Sequence, residues 1–357
     1  MLSVLAAFPT RHLLVVGDLM LDEYCRGHVE RISPEAPVPI LNSVGRETTL
    51  GGAANVVKNL RALGVGVSTV GVTGDDATGE QIRGMLGVLG ANGDGLVHDA
   101  GRVSTRKVRF VSVEHGQQVF RFDEESARPI QDGVENHICR LIRDKAPGAH
   151  AIICSDYRKG VLTERVLQAA FCAGRDNKLP VIVAPKEREM RRYKGATILM
   201  PNLREFVQLS SPRSIGADWM GDAAARLMKY MGLEALLVTQ GSQGMTLFKG
   251  EIGGLRRTDI PTVAKNVYDV TGAGDTAIAG FSAALASNAD HETSARIANA
   301  AAGIVVGKQG TATVSIDELQ AYLTEHGLQK QEGPAARPPL LAAAAGLKIV
   351  TRAPRSR

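Results

Sequence analysis

Short apolar runs alternate with amphipathic stretches along most of this chain. Residues 12–18, HLLVVGD, read as a buried strand that ends in an acidic residue. Residues 51–64, GGAANVVKNLRALG, carry apolar positions at helical spacing between two opening glycines and a closing glycine, which predicts a helix. Residues 65–76, VGVSTVGVTGDD, follow as the next predicted strand.

Beyond residue 130 the pattern becomes a regular exchange of strands and helices. The predicted strands are AHAIICSDY, LPVIVAPK, GATILMPN and LEALLVTQG. This alternation is typical of parallel strands in an α/β sheet. Ligands bind such sheets at the carboxyl ends of the strands. The polar residues and the glycine at these ends are Asp18, Asp156, Lys186, Asn202 and Gly241.

Two segments do not fit the α/β alternation, and they predict a lid or edge element and a hairpin. Residues 31–44, RISPEAPVPILNSV, contain three prolines, so we expect extended chain in a lid or edge element. Residues 105–125 alternate apolar and polar positions on both sides of His115–Gly116, which predicts a hairpin. The lid strands are therefore expected within residues 22–50 and 103–124.

Composition and charge argue against a nucleic-acid partner. Aromatic residues make up only 4% of the 357 residues, too few for a platform that stacks bases. The net charge is +5, but residues 330–357 hold six basic residues and one acid, which is the whole excess. The body of the chain is formally neutral and offers no basic surface to a polyanion.

Cysteine usage and hydropathy predict a cytoplasmic protein. The four cysteines show no CxxC spacing, which suits a reducing compartment. No apolar run approaches the roughly 18 residues that span a bilayer. The apolar start MLSVLAAF lacks a basic leading region, so we expect neither a signal peptide nor a membrane partner.

The stretch DVTGAGDTAIAGF, residues 269–281, combines two glycines and an acid with the start of a predicted helix. Helix N-termini bind phosphate through free amides and the positive end of the dipole. An aspartate there would repel an anion, but as a general base it could take a proton from an attacking hydroxyl. Alternatively, Asp275 is only a helix cap.

Other motifs also admit two interpretations. PNLREF places Asn202 and Glu205 three residues apart, either to organise Mg²⁺ through water or as a capping pair. VTQGSQG is either a phosphate loop or a hairpin turn. GGAAN offers a helix N-terminus and an amide to a substrate, or simply close helix packing. The alternating cations at residues 106–109 suit a phosphorylated substrate or a solvated face.

Several common catalytic motifs do not occur in the sequence. There is no G-x-x-x-x-G-K-[ST], strand-linked GxGxxG, H-E-x-x-H or G-x-S-x-G. P-loop, dehydrogenase, zinc-hydrolase and α/β-hydrolase functions therefore lack their residues.

Taken together, GGAANVVKNLRALG, PNLREF and DVTGAGDTAIAGF resemble the ribokinase-type (PfkB) carbohydrate kinases over residues 10–325. GDLMLDEY, RISPEAPVP, QQVFRFD, SDYRKGVL and GKQGTATVS resemble one branch, the heptose 7-phosphate kinases of ADP-heptose synthesis. The resemblance implies a three-layer α/β/α sandwich with a small β lid. It implies an ATP- and Mg²⁺-dependent kinase of the C1 hydroxyl of D-glycero-D-manno-heptose 7-phosphate. It also implies a homodimer formed through the lid strands.

The resemblance also assigns site residues. Asp275 would be the base for the anomeric hydroxyl, and the amides of Gly272, Ala273 and Gly274 would form the anion hole. Nucleotide contacts would come from Asn202, Leu203, Arg204, Glu205, Gly241 and Gly244, with Glu205 also serving the metal. Substrate contacts would come from Asp18, Gly51, Gly52, Asn55, Lys107 and Arg109, with Lys159 and Lys186 as further candidates for the 7-phosphate.

One position departs from the family pattern. The family usually reads Asp-Pro-Lys where this chain has Ala184-Pro185-Lys186. Loss of a carboxylate near a metal can weaken metal binding or activity by roughly 10–100-fold. The alternatives are therefore a catalytically impaired sugar-phosphate-binding relative, or a kinase of another sugar or sugar phosphate.

The end of the chain predicts a separate segment. We expect the kinase domain to span residues 10–327 and residues 328–357 to form a basic tail rich in Ala, Pro and Arg. LLAAAAGLKIV resembles the linker into a nucleotidyltransferase half, but TRAPRSR follows in place of that half's motifs. The tail is either a remnant of that linker or a disordered Ala-rich extension.

Overall fold

The computed structural model describes residues 1–91, 93–114, 116–186, 189–212, 218–264 and 267–326. The predicted tail, residues 328–357, lies outside the described residues, as does His115 at the predicted hairpin tip. Across the described part of the chain, no helix is both long enough and apolar enough to cross a bilayer.

Strands and helices alternate as the sequence pattern predicts. The strands are β1 (His12–Gly17), β2 (Leu19–Ile32), β3 (Pro39–Gly52), β4 (Gly66–Thr73), β5 (Leu96–His98), β6 (Thr105–Ser112), β7 (Gln118–Glu124), β8 (Ala151–Ser155), β9 (Val181–Ala184), β10 (Ile198–Leu199), β11 (Ala235–Thr239), β12 (Met245–Glu251) and β13 (Gly254–Ile260). The helices are α1 (Leu2–Ala6), α2 (Ala53–Ala62), α3 (Ala77–Val88), α4 (Asp132–Lys145), α5 (Glu164–Asn177), α6 (Leu203–Ser210), α7 (Trp219–Met231), α8 (Ala273–Ala286), α9 (His291–Val305) and α10 (Ile316–Glu325).

The larger sheet has the order β13-β12-β11-β10-β9-β8-β1-β4-β5. Its strands from β11 to β5 are parallel, and β12 and β13 form an antiparallel edge. Within β1, Leu13 and Val15 join the core on one face, while Leu14 and Val16 join the core on the other. A strand covered on both faces must be apolar throughout, which explains the unbroken run in HLLVV.

Helices cover both faces of this sheet, so the predicted three-layer sandwich is confirmed. Side chains of α1, α2, α3, α8, α9 and α10 share one core with the sheet. Side chains of α4, α5, α6 and α7 share the other.

A second sheet of order β3-β2-β6-β7 forms the predicted small β element. β2 and β3 are long antiparallel strands of 14 residues each, and β6 and β7 form the predicted hairpin. Pro34 and Pro37 lie in the turn between β2 and β3, and Pro39 begins β3. The prolines thus mark the end of a hairpin, where their missing N–H groups cost no ladder bond.

The strand order places a topological switch point beside β1. The chain proceeds from β1 outward to β4 and β5 on one side, and returns as β8 to β11 on the other. The carboxyl ends of β1 and β8 therefore meet at a topological switch point, where α/β sheets bind ligands.

Candidate active site

Helix α8 begins at the edge of this switch point with a turn that only glycine adopts readily. Gly272 is the N-cap residue, with a φ of 81°. A side chain there would also collide with its neighbours, since a Cβ atom would lie 2.8 Å from Nδ2 of Asn55. Gly272 therefore lets the first turn of α8 approach α2 closely.

The first turn of α8 supplies free amides, as expected of an anion site, but the amide of Ala273 is not among them. The N–H of Ala273 donates to the carbonyl of Val270 at 3.2 Å, so this amide of the predicted anion hole is already engaged. The first intrahelical bond runs from the N–H of Thr276 to Gly272 at 3.0 Å. The amides of Gly274 and Asp275 are left without a carbonyl acceptor in their own helix.

Asp275 is held from both sides by hydrogen-bond donors. Nδ2 of Asn55 donates to Oδ2 of Asp275 at 2.7 Å, and the hydroxyl of Tyr157 donates to Oδ1. Burial raises the pKa of Asp275 to about 6, the two donors oppose that rise, and nearby Asp22 adds to it. A carboxylate with this pKa is a competent base near neutral pH. The N-cap residue of α8 is Gly272, and Asp275 lies in the first turn with its oxygens bound to Asn55 and Tyr157, so Asp275 is not the helix cap.

A cleft of about 170 Å³ opens in front of Asp275, across the carboxyl ends of β8, β9, β10 and β11. It is lined by Asp156, Tyr157, Ala184, Pro185, Lys186, Met200, Asn202, Glu205, Thr239, Gly272, Gly274, Asp275 and Ile278. Six predicted site residues therefore lie around one space: Lys186, Asn202, Glu205, Gly272, Gly274 and Asp275.

Asn202 and Glu205 form the capping box that the sequence left open. The side chain of Asn202 accepts from the N–H of Glu205, and Oε2 of Glu205 accepts from the N–H of Asn202, both at 2.9 Å. Oε1 of Glu205 accepts from Nζ of Lys186 at 2.7 Å. Lys186 therefore lies on the Glu205 side of the cleft, away from the lid cations with which the sequence grouped it.

The donor set of the cleft suits a hydrated Mg²⁺ better than a metal held by protein alone. Among the described residues, no group of three or more His, Cys, Asp and Glu side chains could hold a metal ion. Mg²⁺ keeps several waters and binds through one or two carboxylates together with substrate phosphates. Glu205 fits such a role, with Asp156 on the same cleft.

Other predicted nucleotide residues lie around or beside the cleft. Leu203 packs against the hydrophobic core, and Arg204 is exposed. Gly241 and Gly244 occupy the tight hairpin between the antiparallel strands β11 and β12, with φ values of 59° and 86°. VTQGSQG thus forms a hairpin turn, which lies at the β11 end of the cleft.

Asp18 has a structural environment that the sequence did not predict. Its carboxylate is 1% exposed and accepts the N–H groups of Tyr157, Lys159 and Val161 at 2.8–3.1 Å. Burial raises its pKa, and the three amides oppose that rise. This placement favours a role in holding residues 157–161 over direct contact with a sugar.

Gly51 and Gly52 allow close packing around two acids. A Cβ atom at Gly51 would lie 2.2 Å from Oδ2 of Asp22, and one at Gly52 would lie 2.6 Å from the carbonyl of Asp18. Gly52 also has a φ of 58° as it caps α2. Both glycines therefore allow the backbone to pass close to these two acids. The side chain of Asn55, in the same motif, contacts Asp275.

The inner face of the small sheet carries the cations that the sequence singled out. Arg109 pairs with Asp22 at 2.5 Å and stacks over the ring of Tyr24 at 5.3 Å. Cross-strand pairing places Lys107 beside Asp22, and Arg121 beside Arg109. Burial and then the charge of Lys159 lower the pKa of Lys107. Lys159 itself pairs with Glu125 at 2.7 Å.

Sequence reasoning missed Asp22 and Tyr157. Asp22 is 5% exposed, its Oδ2 occupies the space that a Cβ on Gly51 would need, and its charge acts on Asp275. Its position in β2 opposite Lys107 was visible only once strand register was known. Tyr157 follows Asp156 directly, so extending the search by one residue past the strand end would have found it.

Comparison with known proteins identifies the family of this chain. The model of the pfkB family carbohydrate kinases matches residues 10–319. The chain belongs to this family. The resemblance identified from GGAAN, PNLREF and GAGD is therefore confirmed.

Similar proteins include two called Bifunctional protein HldE. The one from Pelobacter propionicus is 43% identical over 317 residues, which cover 89% of this chain and 64% of the relative. The one from Geotalea uraniireducens is 44% identical over 310 residues, which cover 87% and 62%. The chain thus spans less than two thirds of the length of these relatives.

Solved structures share the fold at low identity. Ribokinase of Arabidopsis thaliana, complexed with ribose and ATP, has a TM-score of 0.69 and 23% identity, covering 88% of this chain and 98% of that one. Phosphofructokinase-2 of Escherichia coli, in complex with potassium, has a TM-score of 0.73 and 19% identity, covering 89% and 99%. The ribokinase-like fold is therefore shown.

The raised pKa of Asp275 makes a prediction for the pH dependence of phosphoryl transfer. We expect kcat/KM to rise with pH through an apparent pKa of about 6, because only the ionised carboxylate accepts a proton. Tyr157→Phe removes a donor that stabilises the ionised form, so the acid limb should move about one pH unit higher. Asp156 also has a pKa raised to about 6 by burial. Asp156→Asn is therefore the control, and an acid limb that follows Asp156 and ignores Tyr157 would contradict the assignment.

Proposed function

We propose that this protein is an ATP- and Mg²⁺-dependent kinase that phosphorylates the C1 hydroxyl of D-glycero-D-manno-heptose 7-phosphate. The observation that carries the proposal is Asp275, a base held at a helix N-terminus between an acidic cleft and a cation-rich sheet face. The product would be the 1,7-bisphosphate, used in ADP-heptose and lipopolysaccharide core synthesis. The relatives called Bifunctional protein HldE support the heptose branch that the sequence motifs resemble.

Asp275 would accept the proton of the sugar hydroxyl as the hydroxyl oxygen forms a bond to the γ-phosphorus of ATP, and the bond from that phosphorus to the β–γ bridging oxygen breaks so that ADP leaves. The amides of Gly272, Gly274 and Asp275 at the start of α8 would stabilise the charge on the transferring group. Asn55 and Tyr157 would hold the carboxylate at the attacking oxygen. Catalysis in this class rests mainly on such positioning and electrostatics.

The cleft beside Asp275 would take the phosphates of ATP. Asn202, Glu205 and Lys186 would lie along them, and the hairpin at Gly241–Gly244 would lie beside the nucleotide. Glu205, with Asp156 nearby, would hold Mg²⁺ through water, and the ion would neutralise phosphate charge when bound.

The inner face of the small sheet would take the sugar phosphate. Asp22 is placed to accept hydrogen bonds from sugar hydroxyls, with Arg109 fixing its carboxylate. Lys107, Arg109 and Arg121 would meet the 7-phosphate, because arginine and lysine bind phosphate through charge-assisted hydrogen bonds. Lys159 stands close to Lys107 and remains a further candidate.

The outer face of the same sheet would form a homodimer interface. Strand alternation turns Phe110, Phe120 and Phe122 away from the Arg109 face, and Phe120 and Phe122 are 60% and 47% exposed. Exposed apolar patches on a folded domain commonly mark interaction sites. The expected compartment is the cytoplasm, since the proposed donor is ATP and all four cysteines are unpaired.

Turnover with a panel of sugar phosphates tests the proposed reaction. We expect ATP-dependent formation of an anomeric phosphate on heptose 7-phosphate, seen by ³¹P NMR, with much slower turnover of hexose phosphates. Asp275→Asn keeps the size of the side chain but removes the base, and should lower kcat by about 100-fold or more. Full activity of Asp275→Asn, or equal turnover of every sugar, would contradict the proposal.

Ala184 allows a direct test of the impaired alternative, because it lies on the cleft near Asn202 and Glu205. Ala184→Asp adds a carboxylate beside the proposed Mg²⁺ position, and should raise activity at low Mg²⁺ by about tenfold. Ala184→Asn is the matched control, because it adds similar bulk without charge. If the unmodified chain shows no turnover and Ala184→Asp does, the protein is an impaired relative.

Sedimentation equilibrium tests the dimer. We expect the protein to be a dimer, and the double variant Phe120→Asp, Phe122→Asp to be a monomer, because charge on a buried apolar face opposes association. Val88→Asp is the control, since Val88 is 89% exposed on α3, outside the small sheet. A monomeric parent protein, or a dimer that survives the double variant, would argue against this interface.

A further inference from the structure

A chain of hydrogen bonds runs from Asp275 into the core between α2 and α8. Asn55 donates to Asp275, and Nδ2 of Asn59 lies 2.8 Å from the carbonyl oxygen of Asn55 and 3.4 Å from its Oδ1. Oγ1 of Thr276 lies 2.8 Å from Oδ1 of Asn59. Asn59 and Thr276 are both fully buried at 0% exposure. They touch no open cleft, so contact with substrate does not explain them.

The direction of each bond in this chain follows from one group that cannot change its role. The backbone carbonyl of Asn55 only accepts hydrogen bonds. The atom of Asn59 that lies 2.8 Å from it must therefore be the Nδ2 donor. The other end of the Asn59 amide is then the oxygen, which accepts a hydrogen bond from the hydroxyl of Thr276 at 2.8 Å, nearer than that hydroxyl's second acceptor, the carbonyl of Gly272 at 3.2 Å.

The same reasoning fixes Asn55. Because Nδ2 of Asn59 faces the Asn55 side chain, the nearer Asn55 atom is Oδ1, and Nδ2 of Asn55 must point at Asp275. Without this support, Asn55 could turn its amide whenever Asp275 took up a proton, and accept from the protonated acid. Such a turn would stabilise the acid form and weaken the base.

We propose that Asn59 and Thr276 are positioning residues that lock the Asn55 amide as a donor and so keep the Asp275 carboxylate ionised. This role rests on the proposed function of Asp275 as the base. Asn59 lies one helical turn after Asn55 on α2, and Thr276 directly follows Asp275 on α8. The proposal assigns both buried polar residues an indirect part in catalysis. Neither residue contacts the reacting atoms.

Other groups around Asp275 also affect its pKa. Tyr157 donates from the loop after β8, Asp22 adds negative charge from β2, and Lys186 adds positive charge from the segment after β9. The side-chain hydrogen bonds of Asn59 and Thr276 go to Asn55, Gly272 and each other, so we expect these three groups to stay in place when either residue is replaced. A change in the titration of Asp275 in those variants therefore reports the Asn59–Asn55 relay.

The test combines a pH profile with a direct titration. In Asn59→Leu, which removes the amide at similar volume, we expect the acid limb of kcat/KM to move about one pH unit higher. That is about a tenfold loss of kcat/KM below the limb, with kcat/KM on the alkaline plateau within about twofold of the parent. Thr276→Val should produce a smaller shift in the same direction, and Thr276→Ser, which keeps the hydroxyl, should restore the parent profile.

Carbon-13 NMR of labelled aspartate carboxyls reads the pKa of Asp275 without any substrate, with Asp275→Asn providing the assignment. An upward shift in Asn59→Leu supports the lock even if no sugar is turned over, so failure of the proposed reaction is distinguishable. Asn299→Leu is the matched control, since Asn299 is 5% exposed and donates to the carbonyl of Pro261 at 2.8 Å. It should lower the melting temperature and leave the pKa of Asp275 unchanged. An unmoved pKa in folded Asn59→Leu, or an equal loss of rate at every pH, overturns the proposal.

Discussion

The active end of this fold depends on the buried carboxylate of Asp18, which accepts hydrogen bonds from three amides, of alternate residues, in the loop after β8. Those bonds tie the carboxyl end of β1 to that of β8 and set the path of residues 157–161. The path places Tyr157 against Asp275. It also holds Arg158 in a left-handed conformation with a φ of 59°, which costs an ordinary residue about 1 kcal/mol or more. A carboxylate that lost these amides would be buried without partners, so the loop and the acid stabilise each other.

Charge balance around the cleft follows from this geometry. The second acid at the switch point, Asp156, receives the hydroxyl of Tyr193 at 2.7 Å, and burial together with the charge of Asp18 raises its pKa to about 6. Lys186 and Glu205 form an ion pair on one side of the cleft, with Nζ and Oε1 2.7 Å apart. Ala184 contributes no charge between them. Bound Mg²⁺ and nucleotide phosphates would therefore compete with this ion pair. Lys186 would pair with a phosphate, and Glu205 would pair with the metal ion.

The two faces of the small sheet differ in chemistry because side chains alternate along its strands. Successive side chains of β6 and β7 point to opposite faces, so Arg109 and Arg121 lie on one side while Phe110 and Phe120 lie on the other. The ion pair with Asp22 directs the cationic side toward the base. A register slip of a single residue would exchange the two faces and remove both the proposed phosphate contacts and the proposed interface.

The sequence alone determined the layer architecture, the small β element and the loop that carries Asp275, the proposed base. Buried parallel strands must be apolar throughout, and amphipathic helices must repeat at their own period, so both leave local patterns in HLLVV and GGAANVVKNLRALG. The sequence also predicted the capping box of Asn202 and Glu205 as one of two interpretations, because such a box is formed within four residues. Only the tertiary structure decided the partners of the charged groups. Asn55 and Asp275 are 220 residues apart, Asp22 and Arg109 are 87 apart, and Asp18 meets amides 139–143 residues away. Such contacts depend on strand order and register, which no local pattern encodes. The sequence could therefore name Asp18 and Asn55 as site residues, but their roles as supports for the loop and for the base emerged from the fold.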